Sequence, residues 1–149
     1  MSLSLESPEF THNASIPKQY TCTGKNISPA LSWHGAPAGT QSYVLIVDDP
    51  DAPMGTWVHW LLFNIPAILT HLDEATQTPA GAISGKNSWH QQGYGGPCPP
   101  SGTHHYFFKL YALDSKLTVN SSVNKQDILN AMQNHILDSS ELIGLYKQG

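Results

Sequence analysis

The chain has 149 residues, a net charge of −4 and only 12% Asp, Glu, Lys and Arg, about half the ~25% usual in soluble domains. That length predicts one domain, 1–149, able to bury a core without metal or disulfide staples. No cluster of basic residues appears, which argues against a nucleic-acid or anionic-membrane surface. The longest apolar run, 57–63, is too short to span a bilayer.

The N-terminal MSLSLESPEF lacks the basic start and apolar stretch of a signal peptide, so the expected location is the cytoplasm. The glycosylation-type triplets at Asn13, Asn26 and Asn120 carry no meaning there. Cys22 and Cys98 are expected as free thiols in a reducing compartment, with a bond between them as the alternative.

With 12 glycines and 11 prolines, turns should be many and long helices few. Residues 26–33 alternate polar and apolar up to the turn HGAPAGTQ. Residues 42–47, SYVLIV, form a continuous apolar run, as in a central strand covered on both faces. Runs 57–63 and 105–112 (HYFFKLYA) have the same character. Between them lies GKNSWHQQGYGGPCPPSG, 85–102, too rich in glycine and proline for a helix or a central strand; such a loop is more often functional than decorative. From 124 to 138 the apolar period becomes helical, with Asn124 or Ser122 as cap and Asp127 in the first turn. This amphipathic helix should pack on the strands, and 141–146 could return as a last short strand. The whole reads as mostly β: an antiparallel or mixed β-sandwich with one C-terminal amphipathic helix.

The stretch VLIVDDPDAPMGTWVHW, 44–60, places acids, prolines and an imidazole between two core strands. So short a connection predicts antiparallel neighbours, bringing Asp49, Asp51 and His59 to one sheet edge. A cis Ala52–Pro53 bond is expected in the tight reversal. His104 opens the strand HHYFFKLYAL, and alternation puts His104, Tyr106, Phe108 and Leu110 on one face, as it does Trp57, His59, Leu61 and Phe63. If these two strands run parallel in one sheet, His59 and His104 meet at one edge, with 93–102 arching over them. The site would combine two imidazoles, two carboxylates, the Tyr106 hydroxyl and glycine N–H groups. Each signal alone is ordinary. A histidine at a strand start is more often structural, and Asp-Pro-Asp-Ala-Pro by itself is a turn. Their coincidence carries the argument.

Together, VDDPDAP…WVHW and GYGGPCPPSGTHHYFF resemble the signature of the phosphatidylethanolamine-binding, or Raf-kinase-inhibitor-like, proteins. YTCTGKNISPALSW and the short DPDAPMGTWVHW are similar to the bacterial and archaeal branch. The resemblance implies a β-sandwich with a small pocket for phosphate, acetate or a phosphoryl-ethanolamine head group. It also implies that Asp49, Asp51, His59, Pro100, His104 and Tyr106 line that pocket. Eukaryotic members carry a longer insert after DPDAP, where this chain has only MGT, so kinase inhibition does not carry over.

The leading functional reading is a binding protein for a small anionic or phosphorylated ligand, coupled in one version to a kinase or protease partner. Inhibition of such a partner is the first alternative, and self-association as a homodimer is left open. A metal-dependent or hydrolytic enzyme is the second. Against it, no histidine spacing forms a tight metal pair and no G-x-S-x-G elbow exists. Neither a cofactor, a metal nor a catalytic residue is expected. No lysine or arginine lies in either motif, so the imidazoles are the candidate cations, and anion affinity should weaken as pH rises.

Overall fold

The computed structural model describes residues 2–147. In chain order the strands are β1 (Ser4–Glu6), β2 (Ala14–Ser15), β3 (Leu31–His34), β4 (Ser42–Asp49), β5 (Trp57–Pro66), β6 (His71–Leu72), β7 (Ile83–Ser84), β8 (Thr103–Leu113) and β9 (Ile136–Lys147). One α-helix, α1 (Lys125–Met132), precedes β9. The strands form a three-stranded sheet, β1-β3-β6, and a six-stranded sheet, β2-β9-β8-β4-β5-β7. The large sheet is antiparallel except where β2 runs parallel to β9.

The continuous apolar run of β4 is explained by burial on both sides. Tyr43, Leu45 and Val47 face the small sheet, in a core shared with Trp33, Trp60 and Phe108. Val44 and Ile46 face the opposite way, against Leu61, Phe63 and the helix residues Ile128 and Met132. All eight β4 residues are buried, including Asp48 and Asp49 at its end. Asp48 points to the helix side, where its Oδ2 meets Lys125 Nζ at 2.7 Å and Lys109 Nζ at 3.3 Å. Two half-exposed ammonium groups thus offset one carboxylate taken out of water.

The helix begins as expected: Asn124 accepts from the Asp127 N–H, and the Asp127 carboxylate accepts from the Asn124 N–H. It stops at Met132, six residues short of the expected 138. Asn134 takes a left-handed backbone, φ 68°, and the chain turns into β9, whose ladder with β8 runs from Thr103↔Lys147 to Leu113↔Ile136. Ile136 and Leu137, which suggested a longer helix, are exposed strand residues. The last strand is accordingly twelve residues long, not a short return.

The DPDAP reversal contains no cis peptide; none occurs among the described residues. The Ala52–Pro53 expectation is therefore wrong. The turn is made by side-chain capping instead: Asp49 Oδ1 accepts the Asp51 N–H at 2.8 Å. Gly55, at φ 106°, completes it with a bond from its N–H to the Ala52 carbonyl, in a region closed to most side chains.

Candidate functional site

Strands β5 and β8 both pair antiparallel with β4 and so run parallel to each other. His59 near the start of β5 and His104 near the start of β8 therefore lie beside Asp49 at the end of β4. A β-bulge sharpens the placement. Asp48 pairs with Val58 and Val47 with Trp60, leaving His59 as the extra residue. A bulge turns two successive side chains to one face, so His59 and Trp60 both point toward the small-sheet side. Leu61 and Phe63 are switched to the helix side. The expected sharing of a face thus holds for Trp57 and His59 and fails for Leu61 and Phe63.

These residues line a cavity of about 540 Å³, within the usual range for a small-molecule site. Asp49, His59, Pro100, His104 and Tyr106 all contribute to its wall. Asp51 does not. Its carboxylate faces outward and accepts from the His105 N–H at 2.8 Å and from His105 Nδ1 at 2.7 Å. The His105 hydrogen bond is also the main reason its pKa is lowered.

Within the cavity each imidazole is fixed through one nitrogen. His104 Nδ1 lies 2.6 Å from Asp49 Oδ2, both groups being buried. His59 Nδ1 lies 2.7 Å from the Gly95 carbonyl oxygen. A carbonyl or an ionised carboxylate only accepts, so both Nδ1 atoms carry hydrogen and each Nε2 is left for a ligand. Burial lowers the pKa of His59, the Gly95 hydrogen bond opposing it only in part. Tyr106 lies between the two rings, edge-on to His59 at 5.2 Å and stacked with His104 at 6.3 Å. Among the described residues its hydroxyl is buried without a well-formed hydrogen bond; burial and the nearby Asp49 raise its pKa, and the backbone of Cys98 opposes the rise only in small part. Among the described residues, Asp49 is the only Asp, Glu, Lys or Arg on the cavity wall.

The loop over these groups is tied down at its start. Gly95 N–H donates to the His59 carbonyl at 2.9 Å, and Gly96 N–H to Asn26 Oδ1 at 2.8 Å. These two amides are therefore committed, contrary to the expectation that glycine N–H groups serve the ligand. A Cβ on Gly96 would sit 2.3 Å from the Tyr20 carbonyl oxygen, so glycine alone allows this approach. Cys22 and Cys98 are joined, S–S 2.02 Å, Cα–Cα 5.4 Å; the expected free thiols are a disulfide because this docking brings the two segments together. Three of the wall residues missed in the sequence make contacts that shape the site. Asn87 is buried and accepts the N–H groups of Trp89 and Gln91 through Oδ1 while donating to the Gly93 carbonyl. Trp89, partly exposed at the rim, stacks edge-on against Trp57 and His59. Asn26 is the third. A lone asparagine or tryptophan in a glycine-rich loop gives no signal of its partner. Among the described residues, no group of three or more His, Cys, Asp or Glu is arranged to hold a metal.

A family model described as phosphatidylethanolamine-binding protein matches residues 6–147. The chain is 48% identical to a UPF0098 protein of Methanothermobacter thermautotrophicus, over 99% of this chain and 100% of that one. Among solved structures, a phosphatidylethanolamine-binding protein homologue of Chlamydia trachomatis superposes with a TM-score of 0.95 at 39% identity, covering 99% of both chains. Escherichia coli YbcL, described as a member of the mammalian family, gives 0.93 at 33% over the full length of both. The chain belongs to the phosphatidylethanolamine-binding protein family, on its bacterial and archaeal side, and is a small binding protein.

Proposed function

We propose that the cavity binds a small oxyanion or phosphoryl head group, and that it does so together with a proton. The observation that carries this reading is the buried Tyr106 hydroxyl without a partner, set between two imidazoles whose Nδ1 atoms are already engaged. A buried polar group left unpaired marks the place of a ligand or an ordered water. A neutral imidazole offers only a lone pair at Nε2, and Asp49 repels an anion. The anion must therefore arrive with a hydrogen of its own or place one on an imidazole. The aromatic wall of Trp57 and Trp89 suits the apolar remainder of such a ligand.

Within the same reading the protein works in the cytoplasm; among the described residues no helix is long and apolar enough to cross a membrane. Titration with inorganic phosphate and with phosphoethanolamine, followed by tryptophan fluorescence, tests the assignment. Saturable binding weakened at least tenfold in His104→Ala supports it, and equal binding by wild type and His104→Ala removes it.

A further inference from the structure

Both cysteines of the disulfide line the cavity. Cys98 is exposed and Cys22 half-buried, so the bond stands at the mouth where a reagent can reach it. Apart from the packing of the buried Pro97 and Pro99, the wall it holds has few other ties. Residues 97–100 read Pro-Cys-Pro-Pro, and proline has no N–H to donate. The Pro97 carbonyl accepts the Cys22 N–H at 3.1 Å. Beyond it, among the described residues, no backbone–backbone hydrogen bond anchors 98–102 before β8 begins at Thr103. Upstream, by contrast, Gly95, Gly96 and Tyr94 are held by hydrogen bonds to His59, Asn26 and Tyr20.

We infer that Cys22–Cys98 is a redox-modification site, at which a thiol or dithiol reductant opens the Cys98–Pro99–Pro100 wall and lowers the affinity of the cavity. The inference rests on the binding role proposed above. A reductant thiolate attacks the exposed Cys98 sulfur, the S–S bond breaks, and Cys22 leaves as a thiolate that takes a proton from water. A second reductant thiolate resolves the mixed disulfide, giving two protein thiols and one oxidised reductant. The wall then loses its covalent tie, while the sheets, whose core is large enough to fold without staples, keep the imidazoles in place. Cytoplasmic dithiol reductants are the class that would act on such a bond.

The test compares three preparations of the full chain: oxidised, reduced with dithiothreitol, and the Cys22→Ser/Cys98→Ser double variant. Thiol titration, thermal melting, amide hydrogen exchange at position 22 and at Gly95 and Gly96, and inorganic phosphate affinity are measured on each. Expected are two thiols after reduction under native conditions, retained cooperative melting and at least tenfold faster exchange of the N–H at position 22, which the Pro97 carbonyl accepts, with Gly95 and Gly96 changed less. Phosphate should bind at least tenfold more weakly to the reduced protein and to the double variant, which should ignore dithiothreitol. A bond that yields only on unfolding, or unchanged exchange at position 22, overturns the inference, as does unchanged affinity where the oxidised protein binds phosphate. If the oxidised protein binds no phosphate or phosphoethanolamine, the binding role fails, and exchange alone decides whether the wall is gated.

Discussion

On the proposed reading, Tyr106 separates ligand binding from stability in a single atom. Its hydroxyl has no partner in the folded protein, so Tyr106→Phe removes an unsatisfied polar group rather than a hydrogen bond. Stability should stay level or rise by about 1 kcal/mol, read from urea midpoints, while phosphate affinity falls about tenfold because the ligand loses a partner. A fall in both together would mean that the hydroxyl serves the fold. His59 gives the second prediction. Burial lowers its pKa below the ordinary value of about 6.5, so near that pH the unfolded chain binds more protons than the folded one. The stability due to this group is complete above about pH 6.5 and is lost as pH falls toward and through the lowered folded value. His59→Gln should flatten the dependence of the urea midpoint on pH between about 5 and 7. An unchanged slope would place the titration elsewhere.

At the scale of elements, the end of β4 divides its duties by face. Asp49 serves the cavity through His104, whereas Asp48 ties the helix through Lys125 and β8 through Lys109. Asp48→Ala should cost about 2 kcal/mol, the range for a hydrogen bond to a charged group, since both lysines can turn to water. Phosphate affinity should not change, as titration at constant pH would show. Asn87→Ala should do the opposite. It orphans the N–H groups of Trp89 and Gln91, loosening the rim loop and weakening phosphate binding several-fold.

Alternation and loop length made β4, β5, β8 and their common edge legible in the sequence, because buried strands carry an unbroken apolar signal. The bulge at His59 was not legible, since one extra residue in a ladder leaves the composition of a strand unchanged. Nor was the helix stop. Ile136 and Leu137 continue the helical spacing, and only pairing with β8, a contact remote in sequence, claims them for β9. Asp51 was misplaced for a related reason. Alternation correctly set His105 on the outer face, but nothing in the sequence shows that Asp51 follows it there. The disulfide escaped because the docking of 94–98 on 20–26 depends on tertiary contacts at Gly96 and Tyr94.

Across the whole molecule the charge is −4, with seven lysines and no arginine, and among the described residues no lysine lies on the cavity wall. On the proposed reading, binding of an anion is coupled to proton uptake, whichever of His59, His104 or the ligand carries the proton. The most direct measurement is calorimetry of inorganic phosphate binding at pH 8, where free phosphate is chiefly the dianion, repeated in buffers of different ionisation enthalpy. Uptake of about one proton per phosphate bound is expected, with affinity rising up to about tenfold for each unit of pH lowered. No binding, or binding of the dianion without proton uptake and at an affinity constant from pH 8 to pH 6, would contradict it.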